Sequence, residues 1–303
     1  MGQASNTIYG DLVASETMNA MKRKLISKAY AMNYLTDVSK YAKRGVNSVH
    51  IPYITTESGQ VKSVGSDFDS PSGAGSGSED LALSYKAGNP FLVRRDQDYQ
   101  TLVNILKEKS DKSAENILKK MDVAVLTGFI GDIAAAQKND FVNASSNADT
   151  ITADDFIAAR KFLNKKDAPL SGRFCFISPG HESQVIAISN FVSADKIGKT
   201  TNMPIVEGFV GRLYGFDIVL LNHMPEVSAD GSISETEAEN DSYPVIFGQS
   251  MAYMWAKQIA ETMAAEKPLS TADQYVPYNM FGYDELEADF VYMVSDQTTA
   301  DPS

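Results

Sequence analysis

The chain has 303 residues with 39 acidic against 27 basic side chains, a net charge of −12 at pH 7. Phosphate neutralisation needs clustered Lys and Arg, so this balance excludes a dedicated nucleic-acid binder. One cysteine and three histidines exclude an intrachain disulfide framework and leave little material for a zinc site.

Hydrophobic content of 43% supports a sizeable core in one large domain or two. The opening MGQASNTIYGD has neither a basic n-region nor an apolar h-region, and no stretch nears the roughly 18 apolar residues a membrane helix needs. Asn6 stands where a myristoylation signal has Ser or Thr. A soluble, cytosolic chain without a lipid anchor is expected.

Residues 1–45 lean toward helix, with Met18, Met21, Leu25, Ala29, Met32 and Leu35 as an apolar stripe beside Lys22, Arg23, Lys24 and Lys28. The stripe lacks aromatic bulk, so a solvated arm lying on a partner subunit is predicted, not a membrane helix. From Val49 the period changes to strand-like alternation in VHIPYI and QVKSV. The Ser/Gly tip Ser70–Ser78 follows, then strand character returns in LALSYK and PFLVRR. Strands of similar length on both sides of the tip predict a long hairpin over a tether.

Asp96 to Asn139 reads as one long helix without proline, reaching about 65 Å at 1.5 Å per residue. Tyr99, Leu102, Leu106, Ile117, Met121 and Ala124 form its buried stripe, with Ser110 and Ser113 in the middle slots. Glu108, Lys112, Glu115 and Lys119 form the opposite face, paired at i,i+4. From Val123 to Ala136 the helix turns apolar on most faces, and Gly128 and Gly131 predict close packing or a bend.

Thr152 with Asp155 predicts a capped second helix whose buried side is Phe156, Ile157, Phe162 and Leu163, stopped at Pro169. RFCFIS reads as a buried strand, PGHESQVIAI as turn and helix, and GRLYGFDIVLLNHM as a glycine-punctuated strand region. Residues 228–242 carry five carboxylates and predict an exposed loop. YPVIFGQSMAYMWAKQIAETMAAE predicts a strand running into an amphipathic segment, and ADFVYMVS a last strand.

Catalytic signals are weak. FGQSMA around Ser250 is one glycine short of the nucleophile elbow, and His50, His181 and His223 all precede the serine, whereas the elbow hydrolases place histidine after it. Gly198, Lys199 and Thr200 end like a phosphate loop, yet Ser193 occupies the first glycine position. Gly73, Gly75 and Gly77 open no helix, so they form no dinucleotide cradle. Cys175 alternates with Phe174 and Phe176 as a small core residue, and His181 at a helix start suits a neutral capping or surface role. Trp255 and the 12 methionines read as core and subunit contacts.

Arm, hairpin with a Ser/Gly tip, long helix, α/β unit and closing strand follow one another in the order found in the major capsid proteins of tailed bacteriophages. Within TADDFIAARKFLNKKDAPLSGRFCFISPGHESQVI, the residues Pro169, Gly172, Arg173, Ser178 and Pro179 resemble that family's helix, short connection, strand and helix. In GFVGRLYGFDIVLLNHMP, the residues Gly208, Gly211, Gly215, Phe216, Asp217 and Ile218 resemble its glycine-marked strand pair. VIFGQSMAYMWA resembles the next strand and helix. FGYDELEADFVYMV resembles the terminal tract, with Phe281-Gly282-Tyr283 where a Tyr-Gly is usual.

The resemblance implies an α+β subunit of the HK-type phage capsid fold. It would comprise an N-terminal arm (1–48), an extended β-hairpin loop (49–95), the spine helix of a peripheral domain (96–148), an α/β axial domain (149–265) and a return with tail (266–303). It implies a major capsid protein that self-assembles into the icosahedral shell around double-stranded DNA, located in the virion and made in the host cytoplasm. No enzyme, no catalytic, cofactor or metal residue and no cofactor are expected. Partners would be its own copies as hexamers and pentamers, scaffold, portal and decoration proteins, and packaged DNA by loose contact, with no membrane. Two alternatives stand beside it: an encapsulin-like compartment shell and an α/β hydrolase using Ser250.

Overall fold

The computed structural model describes residues 20–21, 30–43, 45–55, 63–64, 66–67, 75–94, 105–141, 150–188, 209–227, 233–234, 243–266 and 272–295. The first half supplies β1 (Thr36–Asp37), β2 (Ser48–Thr55), β3 (Gly75–Ala82), β4 (Tyr85–Gly88), β5 (Phe91–Arg94) and the long helix α1 (Ile105–Asp132). After β6 (Lys138–Asn139) come α2 (Ala153–Lys165), β7 (Arg173–Ile177), α3 (Pro179–Ala187), β8 (Phe209–Leu213) and β9 (Phe216–Leu220). The chain closes with β10 (Glu226–Val227), β11 (Ile233–Ser234), β12 (Val245–Gln249), β13 (Tyr253–Glu266), β14 (Ala272–Glu285) and β15 (Val291–Val294).

Two larger sheets share α1. One is six-stranded in the order β6-β15-β12-β7-β9-β8. Its central strand β7 is buried at every residue, as a continuous apolar run covered on both faces must be. Phe174 and Phe176 point with Ile246 and Met293 into the core that includes α1. Cys175 and Ile177 point the other way, with Phe247 and Val245, into a second core beneath α2 and α3. The other sheet runs β1-β13-β14-β4, with β5 also on β14. Near its start α1 packs Ile105 and Leu106 against Val93 and Tyr275 of this sheet. Near its end Phe129 lies against Tyr253 at 4.8 Å and Phe174 at 6.4 Å.

The stripe on α1 is as expected at Ser110, Ser113, Ile117 and Met121, all buried, with Leu106 and Ala124 half-buried. Tyr99 and Leu102 lie outside the described residues. Glu108, Lys112 and Lys119 are exposed, and Glu108 meets Lys112 at 3.8 Å. Gly128 packs closely: a Cβ there would stand 2.1 Å from the Tyr283 ring. The helix stops at Asp132 and not at Asn139, because β15 recruits Lys138 and Asn139 into a parallel ladder.

Other expectations need correction. The segment from Tyr253 to Glu266 is a 14-residue strand, not a strand followed by a helical tract; Ala, Lys, Gln and Glu favour helix locally, but pairing with β14 along nearly the whole length overrides them. The Ser/Gly tip expected at Ser70–Ser78 ends sooner, since Gly75–Ser78 already pairs with Pro52–Thr55, a ladder made by backbone and indifferent to small side chains. Ser63 and Val64 of the predicted QVKSV strand are not in a strand; its first three residues lie outside the described set.

The arm is not solvated between Tyr30 and Ala42. Tyr30, Ala31, Met32, Leu35, Val38 and Ala42 are buried in the chain's own cores, and β1 pairs with β13. Met18, Leu25 and Ala29 lie outside the described residues, while Met21 is buried. On α2, Phe156 and Leu163 are buried and Phe162 is partly so, but Ile157 is 49% exposed. Within the acidic loop 228–242, Ile233–Ser234 pairs with β10; the rest is outside the described residues.

Candidate functional site

Ser250 and the three histidines all have structural occupations. Ser250 follows β12 at a tight turn: its N–H donates to the Gly172 carbonyl at 3.0 Å, and its hydroxyl lies 3.2 Å from Gln249 Nε2, which donates to it. Its carbonyl accepts from the Thr36 hydroxyl at 2.7 Å. Each of the three histidines is engaged elsewhere. His50 pairs across β2 and β3 with Asp80, His181 shares a 3.0 Å hydrogen bond with Ser178, and His223 bonds Asp122. Burial holds His181 down to about 4, and its ring meets the hydroxyl of the N-cap residue Ser178 in the interior, in place of the capping or surface role expected. Burial likewise pushes the Cys175 thiol well above its ordinary value, away from thiolate chemistry.

Gly75 and Gly77 are ladder residues of β3; Gly73, Ser193, Gly198, Lys199 and Thr200 lie outside the described residues. Among the described residues no group of three or more His, Cys, Asp or Glu is placed to hold a metal. Trp255 is a core residue, 2% exposed, whose indole N–H donates to the Met32 carbonyl at 2.9 Å.

What is concentrated in the interior is positioning. Arg173, 2% exposed at the start of β7, turns back on the connection from α2: it donates to the carbonyls of Ala168 at 2.7 Å and Pro169 at 2.9 Å, and to Asn164 Oδ1 at 2.9 Å. Gly172 makes the bend at φ +69° and leaves room for the Ser250 hydroxyl, 3.0 Å from where a Cβ would sit. Pro179 then opens α3 at its first turn, where a missing N–H costs nothing. In the β8–β9 hairpin Tyr214 and Gly215 sit at φ 49° and 94°, a two-residue turn whose positive dihedrals match the twist of the strands. Arg212 meets Asp217 across it at 3.1 Å. Gly282 stands where Ala82 crosses β14, its would-be Cβ 2.1 Å from the Ala82 carbonyl oxygen, so any side chain there would collide with backbone.

A second buried polar junction, which no sequence motif marks, gathers on Asp122. Asp122, fully buried in mid-α1, accepts the N–H groups of Ala31 at 3.1 Å and Met32 at 2.9 Å, and also His223 Nε2. The His223 ring tilts against Tyr30 at 5.7 Å, whose hydroxyl is pushed up to about 12 by burial, then by Glu115 and Asp122. One carboxylate thus ties three distant stretches together. Its sequence signal was a lone Asp inside the otherwise apolar run MDVAVL. Beside it opens a polar cleft of about 650 Å³ lined by Asn89, Lys119, Lys120, His223 and Glu226.

Buried polar groups that fix elements in place suit a building block. Residues 91–277, well over half of the chain, match the model of the phage capsid protein family. The chain belongs to that family. This capsid protein is the major, shell-forming subunit of a virion: it forms the icosahedral shell and is a structural protein, not an enzyme. Among solved structures it is similar to a chain of Mycobacterium phage Che8, with 17% identity, 89% of this chain and 92% of that chain covered, and a TM-score of 0.63. It is also similar to a chain of the capsid of cyanophage P-SCSP1u, with 15% identity, 88% of each chain covered and a TM-score of 0.64. A virus-like particle from Pyrococcus furiosus matches at 11% identity, over 94% of this chain and 99% of that one, with a TM-score of 0.57. At such identities the likeness is one of fold, and the family match is what favours the phage over a cargo compartment. No curated relative matches the sequence.

Proposed function

We propose that this capsid protein builds its shell as hexamers and pentamers through head-to-tail contacts, each copy offering one surface and receiving another. On this reading residues 1–48 are an arm, 49–95 an extended loop, 96–148 and 266–303 a peripheral domain and 149–265 an axial domain. Double-stranded DNA is enclosed with only loose contact, since a charge of −12 repels phosphate. Scaffold, portal and decoration proteins are further partners of such a shell, and neither a cofactor nor a catalytic residue is required.

The observation that carries the reading is the β2–β3 hairpin. Val49 and Leu81 anchor its base in a small core, yet Ser48–Thr55 and Gly75–Ala82 form a sheet of their own. A two-stranded ribbon is marginally stable in water and gains from a second surface to lie on. Linking Tyr53 to Gly77, which are paired, through Asn-Gly in place of residues 54–76 retains the inner ladder and the anchors. The thermal midpoint of the unassembled subunit should move by no more than about a few degrees, while particle counts by electron microscopy fall sharply. Normal shells from the shortened chain would remove the hairpin from assembly.

A further inference from the structure

From Phe156 to Lys166 the sequence FIAARKFLNKK has four basic residues and no acidic one, in a chain whose acidic side chains outnumber its basic ones 39 to 27. Folding as α2 sorts this stretch by face. Phe156, Ala159 and Leu163 are buried in the core that α2 shares with the six-stranded sheet. Ile157, Arg160, Lys161, Asn164 and Lys165, spaced three and four apart along the helix, are exposed and line an open groove of about 410 Å³ on its other side. Lys166 is neutralised by Asp289 at 2.8 Å. Among the described residues Arg160, Lys161 and Lys165 have no carboxylate partner. Arg160 instead adds its charge to the field around the buried guanidinium of Arg173. Three uncompensated cations thus surround Ile157, which is 49% exposed.

We propose that this face of α2 is an interface for a second copy of the chain, its cations meeting carboxylates on the neighbour's surface and Ile157 forming the apolar centre of the contact. Two subunits that each carry −12 repel at long range, and a local patch of the opposite sign is what lets them meet in one orientation. Nucleic acid fits the face less well. Three cations neutralise too few phosphates to hold a duplex against the charge of the whole subunit, and phosphates offer Ile157 nothing. A protein contact places an apolar side chain at its middle and charges at its rim. The contact is heterologous, and its repetition around a shell rests on the shell reading.

The test compares the nuclease-treated full chain as wild type, as Arg160→Glu/Lys161→Glu/Lys165→Glu and as the milder Arg160→Gln/Lys161→Gln/Lys165→Gln. Melting midpoints should stay within about a few degrees, since all three side chains are exposed. Association, followed by light scattering and by particle counts in electron microscopy, should fall about 10-fold or more on reversal and by less on neutralisation. Added salt should weaken association of the wild type more than that of the Gln variant. Ile157→Ser should weaken it at every salt concentration. If the Glu variant does not fold, the Gln variant and Ile157→Ser decide. Unchanged association in the folded variants would overturn the interface, as would intact shells that retain less packaged DNA, a result that would make the groove a nucleic-acid contact. A wild-type chain that never associates would overturn the shell reading and the interface with it, whereas a wild type that assembles beside variants that assemble equally well would overturn the interface alone.

Discussion

Arg173 and Asp122 are both buried charges that hold backbone in place, but they work over different reaches. The partners of Arg173 are Asn164, Ala168 and Pro169, four to nine residues away. Those of Asp122 are Ala31, Met32 and His223, 90 to 101 residues away. The first shapes one connection between a helix and a strand. The second joins the Ala31–Met32 stretch, α1 and the turn after β9, three parts of the subunit that have no sequence proximity. Loss of a local staple frays a loop that water can re-solvate; loss of a long-range hub strands several groups in the interior at once.

Substitutions that separate the two should therefore differ in size. Asp122→Ala leaves two amide donors and the His223 ring without their acceptor and should cost about 3–5 kcal/mol, read as a shift of the urea midpoint at constant m-value. Arg173→Met keeps most of the apolar stem and releases carbonyls of a connection whose flanking residues Asp167 and Pro169 are exposed, so about 2 kcal/mol is expected by the same measurement. Equal losses would break the distinction between hub and staple. Ser250→Ala should fall within about 1 kcal/mol and leave assembly intact, since its backbone N–H and carbonyl make the turn's bonds to Gly172 and Thr36. A larger loss would promote the Ser250 hydroxyl to a hub of its own.

The same difference in reach decides what the sequence discloses. Pro169, Gly172, Arg173 and Pro179 stand close enough together to be read as a pattern, and the strand, turn and helix around them are where the sequence places them. The glycine-marked strand pair is legible for the same reason: Tyr214 and Gly215 make their turn alone. The alternation of β7, aromatic on one side and Cys175 on the other, anticipates its burial but cannot say which helices cover each face. Long-range pairings are less visible. Tyr253–Glu266 has the local preferences of a helix and becomes a strand because β14 lies beside it. Met32 and Leu35 read as a solvated arm's stripe because nothing near them in sequence reveals that Asp122 and Trp255 will receive that segment. Gly282 shows its necessity only once Ala82, 200 residues earlier, crosses over it.

All of these fixtures serve a subunit whose purpose is to meet copies of itself. The direct test is negative-stain electron microscopy of the purified wild-type chain, concentrated and with any scaffold protein supplied. Closed shells or rings of uniform subunits are the predicted result. A preparation that stays dispersed as monomers at high concentration, folded by its melting curve, would contradict the account.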